Sequence, residues 1–119
     1  MVQYLLRKPK YPLLIETDRR VSGARSGRGI DRLCKQASFA RKESYIVVDS
    51  AGEGWSFFPA NEVISPLTTL KRWSKAKIIE LFNASLEEAG IQERYEPRSL
   101  SNRRLEQIVR EIVEFESKL

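Results

Sequence analysis

The chain has 119 residues and a mass of 13.8 kDa, and with 41% apolar and 31% charged residues it can bury the core of one ordinary domain. Twenty-one Lys and Arg against 16 Asp and Glu leave a net charge of +5 and a pI of about 9.6, which points toward polyanionic partners. Histidine is absent and there is one cysteine, so zinc sites built on Cys and His, Ser-His-Asp and Cys-His nucleophile systems and histidine acid-base chemistry are all excluded. No cofactor or metal is implied.

The charge is unevenly spread. Residues 1–43 carry eleven Lys or Arg against four Asp or Glu, whereas residues 44–119 carry ten against twelve. The excess sits in residues 19–42, where Arg19, Arg20, Arg25, Arg28, Arg32, Lys35, Arg41 and Lys42 face only Asp31. A lone Cys34 forms no internal disulfide, which suits a cytoplasmic protein, and the short aliphatic runs predict neither a leader peptide nor a membrane span.

In chain order, Val2 to Arg7 and Leu13 to Thr17 read as two short strands, because Pro9 and Pro12 between them exclude a continuous helix. Val21 to Gly29 holds three glycines and two serines and predicts a mobile loop. Ile30, Leu33, Cys34 and Ala37 recur at helical spacing and suggest a short helix, although helix or strand stays open for residues 30–42. Tyr45 to Val48 and Trp55 to Phe58, separated by a Gly-containing turn, predict a β-hairpin, and Val63-Ile64 a further short extended piece.

The remainder reads as two amphipathic helices, Ser74 to Ala89 and Ser101 to Leu119. Ser74 and Ser101 are the expected N-caps, each worth about 1 kcal/mol, with Trp73 and Leu100 before them to staple Ile78 and Leu105. The first helix would bury Ile78, Ile79, Phe82, Leu86 and Ala89 and stop at Gly90. The second would bury Leu105, Ile108, Val109, Ile112 and Val113, with Glu106, Arg110 and Glu114 stepping along its outer face.

The run Trp55-Ser56-Phe57-Phe58-Pro59-Ala60-Asn61-Glu62-Val63 resembles the end of a Src-homology-3 domain, where a strand closes in a Pro-x-Asn turn before a last short strand. The resemblance implies a small five-strand barrel; together with the elements read above, the expectation is an α+β chain with a small barrel or antiparallel sheet over residues 1–66, followed by a two-helix region over residues 67–119. The resemblance implies nothing about function. Glu62 replaces the aromatic usual after Asn, the paired tryptophans of that family are missing and the groove-facing loop is basic, so its proline-rich peptide site is not carried over.

Arginine forks bind phosphate oxygens and glycine amides add donors, so the stretch from Arg19 to Lys42 is either a polyanion contact or merely a solvated loop. Its glycines match neither a P-loop nor a dinucleotide fingerprint. Trp55, Phe57 and Tyr45 offer either base stacking or core filling, and Cys34 either an activated thiol beside Arg32 and Lys35 or a buried inert one. Asp49, Glu53 and Glu62 read as turn and edge residues. Arg19-Arg20-Val21-Ser22 and Asn83-Ala84-Ser85 fit modification patterns too short to weigh.

The expected function is therefore non-enzymatic binding: a nucleic-acid backbone or acidic protein held by Arg19, Arg20, Arg25, Arg28, Arg32, Arg41 and Lys42. The alternative is a protein-interaction adaptor docking through the hairpin at Trp55 and Phe57 or through Phe115 and Leu119 on the last helix, where a second copy could also pair.

Overall fold

The computed structural model describes residues 1–18, 20–92 and 103–118. The chain is α+β. Strands β1 (Gln3–Tyr4), β2 (Leu13–Glu16) and β3 (Val21–Ala24) precede helix α1 (Gly27–Lys35). Strands β4 (Tyr45–Val48), β5 (Gly54–Phe58) and β6 (Val63–Ser65) follow, then helices α2 (Lys75–Glu88) and α3 (Leu105–Ser117). Among the described residues the strands form one mixed sheet in the order β1-β6-β5-β4-β2-β3, antiparallel except where β1 lies parallel to β6.

Both faces of this sheet are covered, which explains why it stays open instead of closing into the expected barrel. On one face Leu13, Ile15, Tyr45, Val47, Trp55, Phe57 and Ile64 pack with Phe39 and with Ile30 of α1. On the other, Leu14, Val21 and Val48 pack under Ile78, Ile79, Phe82 and Leu86 of α2 and Ile108, Val109, Ile112 and Val113 of α3. The strand β2 is apolar on both sides because it lies between two helical layers. The edges of the sheet are β1 and β3, so no first-to-last strand pairing exists among the described residues.

The predicted hairpin forms as expected, with Tyr45 opposite Phe57 and Val47 opposite Trp55. Its turn is organised by Asp49, 1% exposed, whose carboxylate accepts the amide N–H groups of Ala51 and Glu53 at 2.9 Å and the indole N–H of Trp55 at 3.1 Å. Ser74 caps α2 by accepting the Lys77 amide at 3.2 Å, and Gly90 follows the helix with φ +76°. Ala89, expected in the core, is exposed.

Two sequence expectations are corrected. Residues 21–29 are not a mobile loop: Val21 to Ala24 pair with β2 in full register and Gly27 opens α1, which ends at Lys35. The last helix begins at Leu105, later than expected, because Arg104 is extended (φ −73°, ψ 153°) and makes no side-chain cap bond. Ser101, its expected cap, lies outside the described residues.

Candidate functional site

The strand β3 is the free edge of the sheet, and helices rise on both sides of it. Two adjoining hollows of about 520 and 710 Å³ run along it, sharing Arg20, Ser22, Leu33 and Gln36. The smaller is floored by Ser22, Gly23 and Ala24 and walled by Arg28, Gly29 and Arg32 of α1 and by Val113 and Glu116 of α3. Arg20 and Arg25 stand at the two ends of the strand and complete the lining.

The walls stand this close because two glycines lack a Cβ. A Cβ on Gly23 would lie 2.9 Å from Val113 Cγ1, and one on Gly29 would lie 3.1 Å from Ala24 Cβ. These glycines, read from sequence as loop flexibility, are points of close approach between helix and strand.

The backbone of the edge is half occupied. Thr17 donates to the Arg20 carbonyl at 2.8 Å, so antiparallel alternation turns Ser22 and Ala24 toward β2 and Val21 and Gly23 outward. The Val21 N–H is taken by Ser85 Oγ of α2 at 2.7 Å. Gly23 points into the hollow.

Of the arginines expected from sequence, Arg20, Arg25, Arg28 and Arg32 meet on this groove. Arg28 and Arg32, one turn apart on α1 and both exposed, form no ion pair among the described residues. Arg25 pairs with Glu114 at 3.0 Å, both side chains about 60% exposed, so the contact is weak and easily exchanged. Arg20 Nε lies 3.6 Å from Oε2 of Glu116.

Arg41 and Lys42 do not belong to the groove. They line neither hollow but stand beside the Arg20 end of β2, where both amides donate to the Tyr45 hydroxyl, the Arg41 amide also donates to Asp18 at 3.2 Å, and Lys42 pairs with Glu16 at 3.3 Å. Arg19 lies outside the described residues. The hairpin aromatics are not partner contacts either: Trp55 and Phe57 are fully buried, because alternation along β5 turns both toward the α1 face. Phe115 is half-buried against Phe82, ring centroids 5.6 Å apart, and Leu119 lies outside the described residues. Burial pushes the Cys34 thiol up, assisted by Glu62 and Asp31, so it is not activated by its cationic neighbours.

Sequence reasoning missed Glu116. Its side chain is 4% exposed, its Oε1 has no hydrogen-bond partner, and burial pushes its carboxyl up to about 7 against the opposing pull of Arg20. The signal was present: Val109, Ile112, Val113 and Glu116 fall at i, i+3, i+4 and i+7, which puts a carboxylate on the apolar stripe of α3.

Among the described residues no three His, Cys, Asp or Glu side chains are grouped to hold a metal ion, and no helix is long and apolar enough to cross a membrane. Comparison of the chain with known protein families, curated proteins and solved structures returns no match in any of the three.

Proposed function

We propose that this chain is a non-enzymatic binding module that holds a nucleic-acid backbone along the β3 groove. The observation that carries this conclusion is the convergence of Arg20, Arg25, Arg28 and Arg32 from a strand and a helix onto one groove. Arg28 and Arg32 meet phosphates first, since they have no carboxylate to release among the described residues. Arg25 joins by exchanging the exposed Glu114 for phosphate at little cost. Contacts of this kind are blind to base identity, so affinity is set by charge and salt.

The test is fluorescence anisotropy with labelled single-stranded and duplex DNA and with RNA across a salt series. Two to three phosphate contacts give a slope of about −2 to −3 in log affinity against log salt on duplex DNA. Arg28→Glu with Arg32→Glu abolishes binding, whereas Arg41→Glu with Lys42→Glu reduces it far less. Equal losses from the two pairs, or no binding at low salt, overturn the reading.

A protein partner is the second reading, and one feature favours it: the outward Gly23 leaves room for an extended segment to add to the β3 edge. An acidic peptide that binds with little salt dependence, and that protects the Gly23 amide from hydrogen exchange, selects it over nucleic acid.

A further inference from the structure

The groove that gathers four arginines also contains one carboxylate that works against them. Glu116 lies at its α3 wall with its side chain 96% withdrawn from solvent, Oε2 facing Arg20 at 3.6 Å and Oε1 facing no donor among the described residues. A carboxylate so placed loses hydration on both oxygens and recovers one moderate ion pair, a poor exchange for the charged form. The guanidinium that it engages is a member of the phosphate-binding set. Arg20 cannot serve Glu116 and a phosphate equally well.

We infer that Glu116 gates the groove: while ionised it holds Arg20 back, and once it takes a proton from solvent Arg20 is released to the bound polyanion, which is then held more tightly in mildly acidic solution. This rests on the reading of the groove as a polyanion site and adds its regulation.

The charges around the gate leave it one dominant partner. Arg20 and Arg25 face the groove from the ends of β3, Asp18 from the turn after β2, Arg28 and Arg32 from α1 and Glu88 from the end of α2, while Glu114 precedes Glu116 on its own helix. Only Arg20 acts on the carboxyl strongly enough to oppose burial, which leaves the group titrating at about 7. The chain has no histidine to titrate in the same range, and the Cys34 thiol is moved up and away from it. The terminal amine is engaged by Asp31 and Glu62 and does not line the groove.

The decisive experiment measures binding of fluorescein-labelled oligo(dT) at fixed salt between about pH 6 and pH 8, where Glu116 changes charge. The wild-type chain binds about tenfold more tightly at the acid end, the worth of one charge-assisted hydrogen bond. Glu116→Gln binds at the acid-end level throughout, and Arg20→Gln shows no response to pH. Wild-type binding that is strong but flat across this range overturns the gate and leaves the groove intact. Absence of binding at every pH overturns the groove reading itself. Where binding is present, NMR titration of the wild-type chain checks the gate itself: a Glu116 carboxyl carbon and an Arg20 Nε resonance that titrate together near 7 support it, and an Arg20 signal indifferent to pH refutes it.

Discussion

Gly23 on the edge strand and Val113 on the last helix touch so closely that a Cβ built on the glycine would stand 2.9 Å from Val113 Cγ1 and 3.1 Å from Val113 Cα. The second distance is to backbone, so the helix itself must give way to any larger residue. Gly23→Ala is therefore expected to destabilise the fold by about 1–3 kcal/mol, the range for overpacking a filled site. Val113→Ala removes the nearest of the three crowding atoms, Cγ1, at the cost of a small cavity. In a double-mutant cycle by urea denaturation the pair together costs less than the sum of the single changes, with a coupling of about 1 kcal/mol. Additive costs refute the contact as the cause.

Asp49 is the most heavily used carboxylate among the described residues, with backbone donors at Lys10, Ala51 and Glu53 and the indole of Trp55. Asp49→Ala leaves the Trp55 N–H buried without an acceptor and unties the hairpin turn from the chain entering β2. The expected loss is about 3 kcal/mol or more by chemical denaturation, since each unmet buried donor costs about 1–3 kcal/mol. Asp49→Asn keeps the shape and one acceptor oxygen, so it recovers part of the loss. Equal destabilisation by both changes speaks against the hydrogen-bond account.

What the sequence made legible depends on how local each cause is. The hairpin was readable because Tyr45, Val47, Trp55 and Phe57 alternate with residues of the other face, and α2 because Ser74 and Gly90 mark its ends. The start of α1 was not, since Gly27 and Gly29 are poor helix formers and only tertiary packing rewards them: Gly29 lies against Ala24 and Ile30 is fully buried. Four of the arginines in the cationic stretch do meet on one groove, but not through the mobile loop that their sequence suggests. Arg20, Arg25, Arg28 and Arg32 converge because a strand edge and a helix hold them, whereas the backbone of Arg41 and Lys42 is tied to Tyr45 and Asp18 and neither residue lines the groove. No local pattern announces which strand is an edge.

Ser85 belongs to a glycosylation tripeptide by sequence, but in the fold it is buried and its hydroxyl oxygen accepts the outward N–H of Val21 at 2.7 Å. That one bond closes the first position of the β3 edge and leaves Gly23 as the open one. Ser85→Ala strands a buried amide and should cost about 1–3 kcal/mol. Amide hydrogen exchange checks it locally: the Val21 amide loses protection in the variant beyond what the drop in global stability accounts for. Unchanged protection at Val21 contradicts the assignment.

Glu116 also makes the stability of the fold depend on pH, independently of any ligand. Its carboxyl moves from 4.5 to about 7 on folding, chiefly through burial, so the folded chain binds a proton that the unfolded chain has already released. Between these values stability falls as pH rises, by on the order of 3 kcal/mol in total, fully present below about 4.5 and lost through 7. Asp18 and Glu53 act in the opposite sense at lower pH. Hydrogen bonds from Tyr45, Ala40 and Arg41 outweigh the burial of Asp18 and hold its carboxyl down, while the Arg7 hydrogen bond lowers Glu53, so stability is lost when either takes a proton in acid. The interval from about pH 5 to pH 8 lies above both and isolates Glu116. Urea denaturation across it should show the wild-type chain losing stability toward alkaline pH and Glu116→Gln nearly flat, with the variant the more stable of the two at about pH 8. Parallel curves for the two proteins would place the charge cost of folding somewhere other than this buried carboxyl.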